Sequence, residues 1–510
     1  MSMPLGIIVA LALSAALANA FAWPLVLLIY IAQLRSRKSS QRTQLAHDLG
    51  LPAHPTKSKK VVGFFHPFCN AGGGGERVLW TAIAHIQRTD PGIVSVVYTG
   101  DVGATKEQII SKVKSRFDIE LSQTTLHFVY LNSRYLVEDK TWPKFTMLGQ
   151  SLGSMYLAWE AVSKFVPDLF IDTMGYAFTF HVVSMLTGVK VGAYVHYPTI
   201  STEMIRRVES RVALHNNSAS VSSSTFRTRA KLLYYRIFMF FYVFSLRGAS
   251  FLMVNSSWTK AHIDSILFHD NGLLNILTYL PPLVFLRPLL VTLKPAEIVY
   301  PPCDTREFEK LPLEGRGRII VSLAQFRPEK DHRTQLLALS SLLGSHPEYR
   351  NLPIKMVLIG GSRNAEDAER VEQLRAFAKE LNIEGYVDFV VNASFQDIIS
   401  WLGKASIGLS TMVDEHFGIN IVEFMAAGAI PVVHASGGPL KDIVVQVDGK
   451  RTGYHAKSPE DFAEAFHSVF QLSKSEDLVL RQRARTWAVE AFSNAEFEEG
   501  WDNSQWKNWL

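Results

Sequence analysis

The chain has little cysteine for its length. Only two cysteines, Cys69 and Cys303, occur among 510 residues, which excludes a disulfide-stapled scaffold and any metal site built from four cysteines. A strong charge of either sign is also missing. The 52 Lys and Arg residues and 47 Asp and Glu residues leave a net charge of +5, which is too small and too dispersed to indicate nucleic-acid binding. A chain of this length can bury the cores of two or three domains without further support.

Residues 1–34 contain no charged side chain. They predict a transmembrane helix, because about 20 apolar residues suffice to span the hydrocarbon core of a bilayer. The alternative is a cleaved signal peptide, for which the Ala-Asn-Ala sequence at 18–20 offers a cleavage site. Two features favour the anchor: no Lys or Arg precedes the apolar run, and the run continues beyond that site to Ile31.

Residues 35–60 are polar and basic. By the positive-inside rule, the cations that follow the apolar run place the rest of the chain in the cytosol. We interpret 35–60 as a juxtamembrane linker that can rest on anionic lipid.

From residue 61 onward, short apolar segments alternate with amphipathic ones. The predicted strands are 61–65, 94–98, 126–130, 169–172, 189–195, 318–323, 354–359, 386–391, 405–409 and 430–433. The predicted helices are 77–87, 106–116, 365–381, 419–427 and 459–472. This alternation is typical of parallel sheets in α/β proteins. Two such series predict two doubly wound, Rossmann-like domains facing each other across a cleft, with ligands at the carboxyl ends of the strands.

The predicted domains are an N-terminal domain at 61–298, a C-terminal ligand-binding domain at 299–480, and a helical segment at 481–510 that crosses back to the first domain.

Two apolar stretches interrupt the alternation. Residues 232–246 are too short to span a bilayer, so they predict either a core helix or a helix that dips into the membrane surface. Residues 273–293 contain three prolines, which disfavour a continuous helix, and their role stays open.

The densest chemical signal lies at 414–433 (DEHFGINIVEFMAAGAIPVV). Glu415 precedes Gly418, which opens a predicted helix, and Glu423 follows just beyond the first turn. Amides at a helix N-terminus bind phosphates, and carboxylates accept hydrogen bonds from sugar hydroxyls. The alternative is a surface helix with two solvated glutamates, which the surrounding loop, glycine cap and following strand disfavour.

Two further signals follow predicted strands. Arg327 and Lys330 come after strand 318–323, where they can neutralise a diphosphate, although alone they would suit an exposed charged turn equally well. The glycine loop Gly72, Gly73, Gly74 and Gly75 follows the first strand and allows close approach of an anion to backbone amides. It lacks a dinucleotide fingerprint and a Walker lysine, so its ligand is not specified.

The block from Glu415 to Pro431, together with Arg327 and Lys330, resembles the nucleotide-sugar site of the retaining glycosyltransferases of family four, which have the GT-B fold. Other segments resemble the endoplasmic-reticulum α-1,2-mannosyltransferases of that family. These segments are FHP at 65–67, CNAG at 69–72, ERVLW at 76–80, YTGD at 98–101, VHYP at 195–198, NSSWT at 255–259 and VYPPC at 299–303.

The resemblance implies a transfer of mannose from GDP-mannose to a dolichyl-diphosphate-linked oligosaccharide at the cytosolic face of the endoplasmic reticulum. It implies catalysis without a metal or other cofactor, with the bilayer and other mannosyltransferases as partners. The single-pass anchor predicted above from the apolar run agrees with it. The implied roles are ribose binding for Glu423, mannose binding for Glu415, stabilisation of leaving GDP for Arg327 and Lys330, donor contacts for Phe417, Gly418, Ile419 and Asn420, and donor or acceptor contacts for the glycine loop.

His196 ends a predicted strand at the cleft. It is either a structural histidine or a hydrogen-bonding group at the reacting centre.

Two other functions of the whole chain stay open at this stage. One is a family-four enzyme that uses a UDP-sugar and another lipid. The other is a catalytically inactive glycolipid-binding scaffold, which the presence of both glutamates and both cations disfavours.

Overall fold

The structure is a computed structural model that describes residues 25–50, 59–200, 225–268, 295–362 and 364–510, together with 204, 205 and 208. The first 24 residues of the predicted anchor and the proline-containing stretch 273–293 lie outside the described residues. Among the residues that are described, no helix combines the length and the apolar character needed to cross a bilayer.

The N-terminal domain is built on a seven-stranded parallel sheet with strand order β3-β2-β1-β4-β5-β6-β7. Its strands are β1 Lys60–Phe65, β2 Ile93–Thr99, β3 Leu126–Tyr130, β4 Leu169–Asp172, β5 Lys190–Val195, β6 Phe251–Val254 and β7 Glu297–Ile298. Its helices are α1 at 25–36, α2 Lys38–Asp48, α3 Gly74–Thr89, α4 Lys106–Phe117, α5 Thr146–Lys164, α6 Thr179–Thr187, α7 Thr225–Leu246 and α8 Ser257–Leu267. Every residue of β2 and β4 is buried, as expected for strands covered by helices on both faces.

The C-terminal domain repeats this design with a six-stranded parallel sheet of order β10-β9-β8-β11-β12-β15. Its strands are β8 Gly317–Leu323, β9 Ile354–Gly360, β10 Val387–Val391, β11 Ala405–Ser410, β12 Ile430–His434 and β15 Tyr454–Ala456, with the hairpin β13 Gln446–Val447 and β14 Lys450–Arg451. The labelled helices are α9 Arg306–Glu309, α10 His332–Ser345, α11 Ala365–Glu380, α12 Phe395–Lys404, α13 Ile419–Ala427, α14 Pro459–Phe470, α15 Lys474–Phe492 and α16 Asn494–Asn503.

The strand order reverses at equivalent points of the two sheets. It reverses between β1 and β4 in the first domain and between β8 and β11 in the second. At such a point the loops that leave neighbouring strands diverge and open a crevice at the carboxyl edge of the sheet. The loops that follow β1, β8 and β11 carry the glycine loop, Lys330 and Glu415, respectively.

The C-terminal segment packs against the N-terminal domain. Trp501 and Trp506 are fully buried in the same hydrophobic cluster as Phe64 of β1. His85 of α3 lies 2.9 Å from the carboxylate of Asp502. The helix that leads into this segment begins at Lys474, which is earlier than the expected start at residue 481.

The expected linker at 35–60 contains helix α2. Leu45 on this helix is buried in the core of the N-terminal domain. Two of the basic residues, Lys38 and Arg42, form ion pairs with Asp168 at distances of 2.9 and 3.0 Å. Part of the basic charge in this segment is therefore bound to the domain.

Helix α7, which contains the apolar stretch 232–246, has two different faces. One packs into the core of the N-terminal domain through Tyr235, Phe238, Met239, Tyr242 and Leu246. The other exposes Leu233, Ile237 and Phe241. The helix is thus a core helix on one side and leaves an apolar surface on the other.

Candidate active site

The glycine loop of the N-terminal domain touches the first turn of α13 in the C-terminal domain. A Cβ atom built on Gly74 would lie 3.0 Å from Cδ1 of Ile419. A Cβ atom on Gly75 would lie 3.4 Å from Nε2 of His196. The fold therefore brings together three groups that the sequence placed in separate motifs.

Lys330 and Glu415 form an ion pair, with 2.6 Å between Nζ and Oε2. Lys330 ends a short 3₁₀ turn after β8, and the hydroxyl of Thr411 donates to its backbone carbonyl at 3.0 Å. The two side chains retain only 23% and 13% of their exposure. A charge-assisted contact of this kind, partly removed from water, holds both groups in place.

Arg327 lies at the solvent-exposed edge of the cleft. Its side chain is 44% exposed, and a guanidinium nitrogen lies 3.7 Å from the carboxylate of Glu329. Such an exposed pair contributes little to stability, so the guanidinium can turn toward an anion that enters the cleft.

The glycine pair Gly437–Gly438, in the loop after β12, packs against the segment that carries Glu415. Gly437 has φ +65, and a Cβ atom there would lie 2.2 Å from the carbonyl oxygen of Glu415. The amide of Gly438 donates to the same oxygen at 2.8 Å. Ser436 accepts from the amide of Asp414 at 2.7 Å. We did not predict this support, although a Ser-Gly-Gly sequence just after a strand was a usable signal.

Glu423 faces basic residues of the other domain. Burial raises the pKa of Glu423 to about 7, while the charges of Arg77 and Arg116 act in the opposite direction. Both arginines belong to the N-terminal domain, and neither was assigned a role from sequence. Together with Arg327 and Lys330 they give the cleft a basic character that suits a phosphorylated ligand.

His196 is neutral at physiological pH, because burial lowers the pKa of its imidazole to about 4. Its Nε2 lies 3.1 Å from the carbonyl oxygen of Thr173. A carbonyl can only accept, so Nε2 carries the proton and Nδ1 is left as a hydrogen-bond acceptor. The structural interpretation of His196 is supported by this anchoring contact. Its position beside the glycine loop is compatible with a role at the reacting centre, which stays a prediction.

His416 crosses the interface between the domains. Its ring stacks on Tyr197 with centroids 4.0 Å apart, and it lies 5.6 Å from the ring of Trp258. Both aromatic residues belong to the N-terminal domain. Burial lowers the pKa of His416 to about 4, so the stack contains a neutral imidazole. This contact places the loop bearing Glu415 against the N-terminal domain, and sequence reasoning missed it.

Half of the glycine loop is already hydrogen bonded. The carboxylate of Glu76 accepts from the amides of Gly72 and Gly73 at 3.0 and 2.9 Å. These amides thus point to an internal anion, which differs from the phosphate contact that we expected. Gly74 and Gly75 begin α3, where backbone amides lack partners within the helix, and they are better placed for a ligand.

The remaining predicted donor residues use their side chains for structure. Phe417 is buried in a cluster with Phe492. Asn420 donates from Nδ2 to the carbonyl oxygen of Leu323 at 3.0 Å, which ties α13 to the end of β8. Gly418 has φ +115 and precedes the first helical residue, Ile419. The backbone at this helix N-terminus, rather than these side chains, is available to a ligand.

Within the described part of the chain, one group of side chains has potential metal-ligand atoms close together. These are His346, Glu348 and His467, whose ligand atoms lie within 4.8 Å of one another. The two imidazole rings are stacked 3.7 Å apart with an angle of 10° between their planes. Their in-plane lone pairs therefore run side by side instead of converging on one ion. His346 follows the C-terminal end of α10, whereas Lys330 lies just before the beginning of that helix.

Comparison with known proteins agrees with this geometry. Residues 59–267 match the family described as "ALG11 mannosyltransferase N-terminus", and residues 304–487 match "Glycosyl transferases group 1". The chain is 44% identical to the Homo sapiens protein named GDP-Man:Man(3)GlcNAc(2)-PP-Dol alpha-1,2-mannosyltransferase, with 87% of this chain and 86% of that protein covered. It is 45% identical to the Dictyostelium discoideum protein of the same name, with 86% and 83% covered.

A solved structure supports the fold. A glycosyltransferase from Rickettsia africae ESF-5 has a TM-score of 0.56 with 15% identity, and the match covers 89% of this chain and 99% of that one. The predicted GT-B arrangement of two parallel-sheet α/β domains is confirmed.

Proposed function

The chain belongs to the ALG11 mannosyltransferase family, and we propose that it transfers α-1,2-linked mannose from GDP-mannose to a dolichyl-diphosphate-linked oligosaccharide. The observation that carries this proposal is 44% identity over 87% of the chain to a relative whose name states that reaction. The cleft supports it independently, because acidic and basic groups suited to a sugar and a diphosphate lie together at the ends of the strands.

In the proposed donor complex, Glu423 accepts hydrogen bonds from the ribose hydroxyls and Glu415 from hydroxyls of the mannose. Arg327 and Lys330 face the diphosphate. Lys330 is already held by Glu415, so we expect it to lie between the carboxylate and the diphosphate once the donor binds. As the bond between the anomeric carbon and the diphosphate breaks, negative charge grows on the leaving oxygen, and these cations stabilise it.

We propose that transfer proceeds with retention. The acceptor hydroxyl oxygen attacks the anomeric carbon from the face that GDP leaves, and its proton passes to the leaving phosphate oxygen. His196 does not supply that proton, because its imidazole is neutral and its Nε2–H is bound to a carbonyl. Its Nδ1 can accept a hydrogen bond from a sugar hydroxyl and so orient the reacting groups.

Two further features complete the proposal. The four cations of the cleft neutralise the diphosphate in place of a metal ion, so activity should persist in a chelator. Residues 1–34 anchor the chain in the endoplasmic-reticulum membrane as a single span, with the two domains in the cytosol. The absence of charge in residues 1–34 and the basic residues after them support the anchor.

The test is an assay of the purified full-length chain with a lipid-linked trimannosyl acceptor. GDP-mannose, UDP-glucose and UDP-N-acetylglucosamine are supplied in parallel, with Glu415→Gln as the control and with linkage analysis of the product. We expect α-1,2 mannosyl product from GDP-mannose alone. Turnover of a UDP-sugar instead would show that the donor is wrong, and donor binding without turnover would show a non-catalytic scaffold.

A further inference from the structure

Helix α5 turns an apolar stripe toward solvent. Leu148, Leu152, Tyr156 and Trp159 are each between 37% and 54% exposed. Their spacing of four, four and three residues places them along one face of the helix. Phe145, the residue before the helix, extends the stripe and is exposed as well.

The opposite face of α5 is used by the core. Leu157, Ala158 and Ala161 are fully buried in the N-terminal domain. No charged side chain occurs between 146 and 159. A surface helix of a soluble domain normally carries polar residues on its outer face, so an apolar outer face indicates contact with another apolar phase.

The stripe continues onto helix α7. The rings of Phe145 and Tyr234 are 5.6 Å apart, and the amide of Leu148 donates to the Tyr234 hydroxyl at 3.2 Å. On α7, the exposed residues Leu233, Ile237 and Phe241 are spaced by four and are at least 49% exposed. The outer surfaces of the two helices therefore form one apolar area.

The other end of α5 meets helix α1. The hydroxyls of Tyr30 and Ser163 are 2.8 Å apart. The described residues of α1 begin with a run of exposed apolar side chains at 25–29, which continue the uncharged segment 1–24. We call the exposed apolar residues of α1, α5 and α7 the three-helix apolar face.

The border of this face resembles that of an interfacial protein. The rings of Tyr156 and Trp159 are 5.1 Å apart, and both retain a polar atom suited to a wet boundary. Lys144 and Arg236 are exposed cations at its margin. Aromatic residues and long basic side chains are typical of surfaces that lie at the level of lipid headgroups.

The direction of α5 links this face to the cleft. The helix follows the carboxyl end of β3 and precedes the amino end of β4. Its Phe145 end therefore lies at the edge of the sheet that lines the cleft, and its Lys164 end lies at the opposite edge. A helix of 19 residues is about 28 Å long, so the face extends from the predicted anchor to the cleft side of the domain.

We propose that the three-helix apolar face lies in the interfacial layer of a bilayer and holds the cleft at the membrane surface. The identity of the lipid-linked acceptor rests on the proposed function, whereas the surface rests on the exposure and the contacts of the three helices. The bilayer is the occupant because the face is continuous with a segment that has the length and composition of a membrane anchor.

The first test measures immersion depth in the full-length chain. Both native cysteines are buried, at 1% exposure, so one introduced cysteine can be labelled selectively with a nitroxide. Leu152→Cys and Ile237→Cys probe the face in phosphatidylcholine–phosphatidylserine vesicles. Val479→Cys, an equally exposed apolar position on the C-terminal domain, is the matched control.

Labels at 152 and 237 should be more accessible to oxygen than to a water-soluble nickel chelate, and the label at 479 should show the reverse. Equal accessibility to the nickel chelate at 152 and 479 would overturn the proposal. Spin–spin broadening between labels at 152 would overturn it too, because it would mean that a second copy of the chain covers the face.

The second test is kinetic. The double variant Leu152→Gln/Tyr156→Gln should lower turnover of the lipid-linked acceptor about tenfold, because it removes apolar area from the membrane contact. Turnover of an acceptor with a short, water-soluble chain should stay unchanged, as should both activities of Val479→Gln. Equal losses with both acceptors would contradict the proposal. If the labels at 152 and 237 are protected from the nickel chelate but the unlabelled wild-type chain lacks transferase activity, the surface is supported and the proposed function is refuted.

Discussion

Lys330 and Glu415 lie 85 positions apart in the chain and share an ion pair of 2.6 Å in the cleft. The family resemblance implied that Lys330 stabilises the leaving diphosphate and that Glu415 binds the sugar, as two independent contacts. The structure makes them one unit, in which each group sets the electrostatic environment of the other. A substitution at either position therefore also changes the electrostatic environment of the other residue.

This pairing predicts non-additive kinetics. Lys330→Ala and Glu415→Gln should each lower kcat by about 10²–10³, because each removes a charge that acts on the transition state. The double variant should lose much less than the product of the two effects, since each single variant leaves a partly buried charge without its partner. GDP affinity should change little in Glu415→Gln. Steady-state kinetics at saturating donor and GDP titration of all four proteins test this, with Glu464→Gln, on the exposed surface of α14, as the control.

Glu423 predicts a pH dependence of nucleotide binding. In the proposed donor complex the ribose hydroxyls donate to an ionised Glu423, and the pKa of Glu423 is raised to about 7. GDP affinity of the wild type should therefore rise with pH through about 7 as the proton leaves. Glu423→Gln should bind GDP more weakly and lose this rise. At the high-pH end of the titration the loss in binding free energy should be about 1.5–3 kcal/mol, the contribution of a charge-assisted hydrogen bond. An unchanged pH profile in the variant would place the ribose elsewhere.

The same residue predicts a pH dependence of stability. The pKa of Glu423 is higher in the folded chain than in the unfolded chain. Between the ordinary pKa of a glutamate and about pH 7, the folded chain therefore holds a proton on Glu423 that the unfolded chain has lost. This contribution to stability is present at low pH and is lost as pH rises through about 7. Glu423→Gln should therefore gain melting temperature relative to the wild type as pH is raised from 5 to 8. Glu464→Gln, on the exposed surface of α14, should show no such trend.

The contact between Gly74 and Ile419 predicts a rescue. In Gly74→Ala the new methyl group would lie about 3.0 Å from Cδ1 of Ile419, so the domains must separate or the side chain must move. Overpacking of this kind costs about 1–3 kcal/mol, which we expect as a fall in kcat/KM. Adding Ile419→Val removes the opposing methyl group and should restore much of the activity. Gly103→Ala, where no atom lies within 4 Å of the new Cβ, is the control.

Asp442 predicts a connection between domain packing and stability. Its carboxylate accepts from the amide of Ser257 in α8 at 3.1 Å and from the hydroxyl of Tyr300 at 2.9 Å. Asp442→Asn should lower the free energy of unfolding by about 1.5–3 kcal/mol, because both bonds lose their charged acceptor. Tyr300→Phe, which removes one bond, should have a smaller effect. Urea unfolding measures this series, and Asp448→Asn on the exposed hairpin should resemble the wild type.

Much of the fold was predictable because strands buried on both faces leave an unmistakable pattern. The predictions for β3 and β4 match the structure residue for residue, and the prediction for α13 does too. Strands β6 and β7 were missed, because they are only four and two residues long and adjoin the apolar stretches that we examined as membrane segments. A short strand next to an apolar helix has no periodicity of its own.

The candidate site was predictable only in part. Glu415, Glu423, Lys330 and His196 could be proposed from sequence because each follows a strand or lies near the start of a helix, and their roles stay predictions. No role was assigned from sequence to Arg116, Gly437 or Trp258, because their contacts depend on which loops the two sheets bring together. The glycine loop shows the same limit. Its pattern indicated an anion, but the sequence did not reveal that Glu76 supplies one internally.

The sequence by itself determined the two parallel-sheet domains, the helix that begins after Gly418 and the family to which the chain belongs. These depend on local patterns, namely apolar runs, helix caps and motif residues close together in the chain. Only the tertiary structure decided that Lys330 is bound to Glu415, that His416 stacks on Tyr197, and that α5 has an apolar outer face. Which side of a helix is buried, and which charges meet, depend on the packing of segments far apart in the sequence, and no local pattern encodes that packing.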